Sequence, residues 1–85
     1  MLHVYAASWC PHCTQTIEFL KEHGIGFTYI EIENQPQEII EKIIQVNGGD
    51  DWVVPTLEYN GRWREGRLVD EMTLRSDLQA LGVPI

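Results

Sequence analysis

The chain has 85 residues, 44% hydrophobic and 22% charged, enough for one domain (residues 1–85) with a small core. Thirteen acids against six Lys and Arg give a net charge of -7. Such a surface repels phosphate backbones and argues against nucleic-acid binding. No stretch is long and apolar enough to span a bilayer. The first residues, Met1-Leu2-His3-Val4-Tyr5, lack the basic start and apolar run of an export leader, so a cytoplasmic protein is expected.

Residues 2–7 alternate loosely and carry Val and Tyr, which predicts a short buried strand. Ser8-Trp9 then turns the chain. Pro11 suits a first helical turn, where its missing N–H is not needed. Cys13, Ile17 and Leu20 share one face of the predicted helix, Lys21 and His23 lie near its end, and Gly24 stops it. Residues 27–32 predict a second strand with Phe27, Tyr29 and Glu31 on one face. Asn34 or Gln35 should sit near the next helix's N-cap, with Pro36 just inside it. Ile39, Ile40, Ile43, Ile44 and Val46 form that helix's apolar stripe, and Asn47-Gly48-Gly49 ends it.

Thr56-Leu57-Glu58-Tyr59 and Arg62-Trp63-Arg64-Glu65 flank Asn60-Gly61, a strong hairpin signal, and Gly66 breaks the second of these strands. Asp70 is the expected N-cap of a last helix bearing Leu74, Leu78 and Leu81, closed by Gly82 and Pro84. The order β-α-β-α-β-β-α implies an α/β fold. Its first three elements need parallel strands and its hairpin adds antiparallel ones, giving a four-stranded mixed sheet with helices on both faces.

The chemistry concentrates at Trp9-Cys10-Pro11-His12-Cys13, which holds the only two cysteines. A thiol attacks as the thiolate, and the unpaired N–H groups and dipole at a helix N-terminus favour an anion by roughly 0.3–2 kcal/mol. Cys10, at or just before the first turn, is the expected nucleophile. Cys13, one turn further in and more buried, is the expected resolving thiol. Protonated His12 would stabilise a Cys10 thiolate further, although the positive end of the helix disfavours that protonation; a solvated His12 that tunes little is the alternative. Trp9 is read as a shield and contact face beside the site rather than as a core residue.

One C-x-x-C is half of an ordinary zinc site. The remaining candidates are His3, His12 and His23, and a helix of about ten residues, roughly 15 Å long, separates His23 from the cysteines. No metal held within the chain is expected.

A strand, a C-x-x-C at a helix start, a β-α-β unit and Val54-Pro55-Thr56 before a hairpin together resemble the thioredoxin-like fold of the glutaredoxins and their small relatives, the NrdH-redoxins and mycoredoxins. The likeness runs over essentially the whole chain. Ser8-Trp9-Cys10-Pro11-His12-Cys13 looks like that family's active site, and Glu31-Ile32-Glu33-Asn34 and Val46-Asn47-Gly48-Gly49 look like the mycoredoxin end of it. The resemblance implies a thiol–disulfide oxidoreductase with no bound cofactor, acting on disulfide-containing proteins or on mixed disulfides with a small thiol. It implies a cis Val54–Pro55 bond beside Cys10, with the Val54 backbone pairing with substrate. Trp9, Pro11, Val54, Pro55, Gly66 and Arg67 are then the expected substrate contacts.

The glutathione pattern itself is incomplete. Ser8 stands where glutathione-using members usually carry a cation. Glu65-Gly66-Arg67-Leu68 replaces their Gly-Gly-Cys/Ser-Asp, and Asp70 comes two residues late. The expected electron donor is therefore glutathione, another low-molecular-weight thiol or a flavoprotein reductase, and the expected state is a monomer. The rival reading is a dimer holding an iron–sulfur cluster through Cys10 and an outside thiol; Pro11 and the competing second cysteine weigh against it.

Overall fold

The computed structural model describes residues 1–66 and 70–85. Its elements are β1 (Leu2–Ala6), α1 (Pro11–Glu22), β2 (Phe27–Glu31), a 3-10 turn (Ile32–Asn34), α2 (Gln37–Val46), β3 (Thr56–Tyr59), β4 (Arg62–Arg64) and α3 (Glu71–Leu81). The four strands form one sheet in the order β2-β1-β3-β4. β1 and β2 run parallel; β1–β3 and β3–β4 run antiparallel. This is the thioredoxin-like arrangement expected from the sequence.

The register decides which side chains meet. Leu2, Val4 and Ala6 are buried on β1 while His3 and Tyr5 between them are half-buried. Val4 pairs with Leu57 and Leu57 with Arg64, so these three form a row on one face. Arg64 ends that row on α3, where its Nε donates to Asp77 Oδ2 at 2.7 Å. The alternate row, His3, Glu58 and Trp63, lies on the other face. Tyr5 stacks on Trp63 there, with Lys42 of α2 over the indole. α2 and α3 thus flank opposite faces. Arg75 of α3 lies over Phe19 of α1 and bonds His23, which puts α1 on the α3 side.

Several boundaries differ from the sequence reading, each for a local reason. β1 ends at Ala6, because the Cys10 N–H bonds the Ala7 carbonyl and turns the chain. The buried face of α1 runs through Cys13, Thr16, Phe19 and Leu20 rather than through Ile17, which is half-buried. Ile32 leaves the strand for the 3-10 turn, which buries it completely. Pro36 is itself the N-cap of α2, with extended backbone, and not a residue inside the helix. Of the isoleucine stripe only Ile43 is fully buried; Ile39 and Ile40 pack at the core's margin. β4 stops at Arg64, one residue early. Asp70 caps α3 through its carboxylate and Gly82 closes it at φ 95°, as expected.

Candidate active site

β1 delivers the chain to the edge of the core, and the turn closed by Cys10 N–H to Ala7 O sets Cys10 as the N-cap of α1, with extended backbone. From that position its sulfur does what a capping oxygen does elsewhere: it accepts the Cys13 backbone N–H, at 3.3 Å. A negative sulfur gains more from this N–H than a neutral one, because charge-assisted hydrogen bonds are roughly twice as strong. Cys10 Sγ also lies 3.9 Å from the Val54 carbonyl oxygen. Both cysteines are thiols here. Cys10 keeps 5% of its surface, Cys13 only 1%, so the expected order of burial holds by a small margin.

Burial pushes the Cys13 thiol well above the usual thiol range. The Cys10 sulfur raises it further through their hydrogen bond and its charge, and Glu31 adds to the same effect. Neutral Cys13 therefore waits behind Cys10. His12, second residue of α1, is half-buried, its carbonyl accepting the Thr16 hydroxyl at 2.8 Å and its Nδ1 enclosed without a partner.

The second wall of the site is the segment before β3. The Val54–Pro55 peptide is cis, and Pro55 is buried. One asparagine secures this wall. Asn47, at the end of α2, donates to the Ile43 carbonyl and to Thr56 Oγ1, at 2.8 and 3.0 Å. Thr56 Oγ1 in turn donates to Val53 O at 2.6 Å, and the Gly66 N–H donates to Asn47 Oδ1 at 2.7 Å. Gly66 lies so near Val53 that a Cβ there would come within 2.7 Å of the valine Cβ. Only glycine allows that approach. Gly66 thus supports the wall that carries Val54.

Trp9 is 61% exposed and so is not a core residue. Its indole N–H donates to Glu33 Oε1 at 2.8 Å, and its ring tilts against Trp52 with centroids 6.4 Å apart. Val53, 41% exposed, extends this apolar rim, and Pro11 is exposed. Cys10, Cys13, His12, Trp9, Pro11, Val54 and Pro55 therefore come together at one end of the sheet. Arg67, also expected at the site, lies outside the described residues.

Sequence reading missed Asn47 as anything but a helix stop, and missed Glu31, Glu33 and Tyr29 as site residues. Glu31 accepts the Ser8 N–H and the Tyr29 hydroxyl on one carboxylate oxygen, at 3.1 and 3.0 Å. The signal available was their position: Glu31 closes the strand beside the one that leads into the C-x-x-C. Among the described residues, no cluster of three or more His, Cys, Asp or Glu could hold a metal. His3 bonds Glu58 and His23 bonds the Phe19 carbonyl, both apart from the cysteines.

The glutaredoxin family model matches residues 2–63, more than half of the chain. The chain belongs to the glutaredoxin family. Members of this family are thiol–disulfide oxidoreductases. The chain is 39% identical over 46 residues to a glutaredoxin-like protein NrdH of Lactococcus lactis subsp. cremoris, a match covering 54% of this chain and 62% of that protein. The same values hold for the NrdH protein of Lactococcus lactis subsp. lactis. Among solved structures, a glutaredoxin from Archaeoglobus fulgidus superposes with a TM-score of 0.68 at 32% identity, over 88% of this chain and 82% of that one. A buckwheat glutaredoxin in complex with glutathione shares the fold, at TM-score 0.66 and 18% identity, over 95% of this chain and 69% of that one. No helix among the described residues is long and apolar enough to cross a membrane.

Proposed function

We propose that this glutaredoxin-family chain is a dithiol oxidoreductase that reduces protein disulfides, or mixed disulfides with a small thiol, through Cys10 and Cys13. The observation that carries this reading is the pairing of a helix-capping Cys10 sulfur, hydrogen-bonded by the Cys13 N–H, with a second thiol one turn behind it. Cys10 attacks the substrate disulfide as thiolate, forming a mixed disulfide and releasing the first substrate thiol. Cys13 then attacks Cys10, releasing the second and leaving Cys10–Cys13 oxidised. In the attacking geometry Val54 offers its backbone to an extended substrate strand, and Trp9 and Val53 offer apolar surface beside it.

The electron donor in this reading is a flavoprotein reductase or a small thiol other than glutathione. Ser8 in place of a cation, and Leu68 and the displaced Asp70 in place of the usual glutathione contacts, support it. So does the likeness to NrdH proteins. The enzyme works as a cytoplasmic monomer that needs no bound cofactor. A coupled NADPH assay tests the donor, with glutathione and its reductase in one arm and thioredoxin reductase in the other. The thioredoxin reductase arm should be faster. A fast, saturable glutathione arm overturns the assignment of the donor, and failure of both arms with an inert, unalkylatable Cys10 overturns the activity.

A further inference from the structure

Glu31 carries a feature that the two-thiol cycle leaves unused. One carboxylate oxygen takes both the Ser8 N–H and the Tyr29 hydroxyl; the other, Oε2, is enclosed with no hydrogen-bond partner among the described residues. An enclosed carboxylate oxygen without a donor is costly, and native structures keep such groups where they have work to do. The register places it. Glu31 pairs with Ala6 and Tyr29 with Val4, so both project from the sheet face that carries Val4 and Leu57, the face on which α1 and α3 lie. Tyr29, Ser8 and Cys13 line one open cavity of about 300 Å³ along α1, together with Lys21. The two groups that hold Glu31 are therefore the two that share this cavity with the resolving thiol.

We propose that Glu31 is the proton acceptor for Cys13 in the resolving step, an inference that rests on the dithiol reading above. Cys13 must lose its proton to attack, and its surroundings hold that proton tightly. In the step, the Cys13 S–H proton passes to the Glu31 carboxylate, which is held by the Ser8 and Tyr29 of the cavity's lining. The Cys13 sulfur bonds to the Cys10 sulfur, and the bond from Cys10 to the substrate sulfur breaks. The electron pair leaves on the substrate thiolate, and Glu31 later returns its proton to solvent. Over both steps the chain is oxidised by two electrons and the substrate disulfide reduced by two. Ser8 and Tyr29 act as positioning residues, fixing one oxygen so that the other stays free.

The alternative role for Glu31 is a fixed negative charge, and the two roles have opposite signs. As a charge, Glu31 raises the Cys13 thiol, so removing it would ease deprotonation and speed resolution. As an acceptor, its removal slows resolution. Glu31→Gln separates them, because the amide oxygen still accepts from Ser8 and Tyr29. Among the described residues the other titratable groups lining this cavity are Glu18, Lys21 and Tyr29, with Cys10 beside Cys13; of these, Tyr29, raised in part by Glu31, is eased in this variant.

The reduced protein is mixed with 5,5′-dithiobis(2-nitrobenzoate), which releases one coloured thiol on Cys10 attack and a second on Cys13 resolution. The first phase depends on reagent concentration and the second does not. We expect Glu31→Gln to leave the first phase within about twofold and slow the second about tenfold or more near neutral pH. The deficit should close as pH rises from about 7 to about 9, where hydroxide takes the proton instead. Glu31→Asp, which restores a carboxylate, should resolve faster than the Gln variant. A second phase that is unchanged or faster in Glu31→Gln, a deficit independent of pH, or equal slowing in the Asp variant overturns the proposal. A wild-type protein that releases only one equivalent overturns the dithiol reading itself, and this inference with it.

Discussion

Cys10 and Cys13 lie one helical turn apart, yet they belong to different regions of the molecule. Cys10 faces a mouth: the Val54 carbonyl on one side, and the exposed Trp9 and Val53 around it. Cys13 lines a separate cavity with Ser8 and Tyr29, the two residues that hold Glu31. Exposure barely separates the two sulfurs, at 5% and 1%. Their surroundings do. The Cys10 sulfur accepts the Cys13 N–H, while Cys13 is raised by burial and by the neighbouring Cys10 and Glu31. One turn of helix thus gives two identical side chains different surroundings, which in the proposed cycle suit one to attack and the other to resolve.

The sharpest way to break this comparison is to remove each sulfur in turn. Cys10→Ser should lower the rate of disulfide reduction by about 10³-fold or more, since no other group at the mouth can attack. Cys13→Ser should still release the first equivalent from a disulfide reagent but stall as the mixed disulfide. Its turnover should fall about 10²-fold, because an external thiol must replace an intramolecular one. Mass spectrometry of the trapped adduct checks both. An adduct on position 13 in the Cys10→Ser protein, formed as fast as the wild-type adduct, would reverse the roles.

The mouth alone can be loosened from behind. Asn47 ties α2, Thr56 and Gly66 together under the Val53–Val54 segment and makes no bond to the Cys13 compartment. Asn47→Ala leaves the Thr56 hydroxyl and the Gly66 N–H short of a partner, which should cost about 2 kcal/mol of stability in urea denaturation. In the two-phase reagent assay the first phase should slow and the second should not. A variant slowed equally in both phases would show that the two regions are not separable.

Much of this was legible in the sequence. The hairpin at Asn60-Gly61, the Asp70 cap and the spacing of the cysteines at a proline-started helix are local signals, and they gave the fold and the placing of Cys10 at the start of α1. The losses were tertiary. Pro36 reads as a first helical residue, but its extended backbone makes it the cap. Five apolar residues in α2 read as one buried stripe, yet a single helix over a small sheet buries only Ile43 fully. Asn47 reads as a helix end because its partners, Thr56 and Gly66, lie 9 and 19 residues away. Glu31 reads as one more acid among thirteen until the β1–β2 register turns it toward α1.

The smallest expected effect probes the inner region through stability instead of rate. The folded protein favours neutral Cys13, so its thiol titrates above its unfolded value. That contribution is fully present below the unfolded thiol's pKa, about 8.5, and is lost as pH rises through the folded value. Between them the unfolded chain gives up its Cys13 proton and the folded one keeps it, so unfolding is favoured by about 1.4 kcal/mol per pH unit from this one group. Tyr29, pushed up to about 12 by desolvation and by Glu31, acts in the same direction at still higher pH. Reduced wild type should therefore lose melting temperature between about pH 9 and about pH 11 more steeply than Cys13→Ser, in which only the tyrosine contribution remains. Below about pH 8 the two curves should run parallel. Parallel curves throughout would mean that Cys13 is solvated like an ordinary thiol, and the contrast between mouth and interior would then rest on geometry alone.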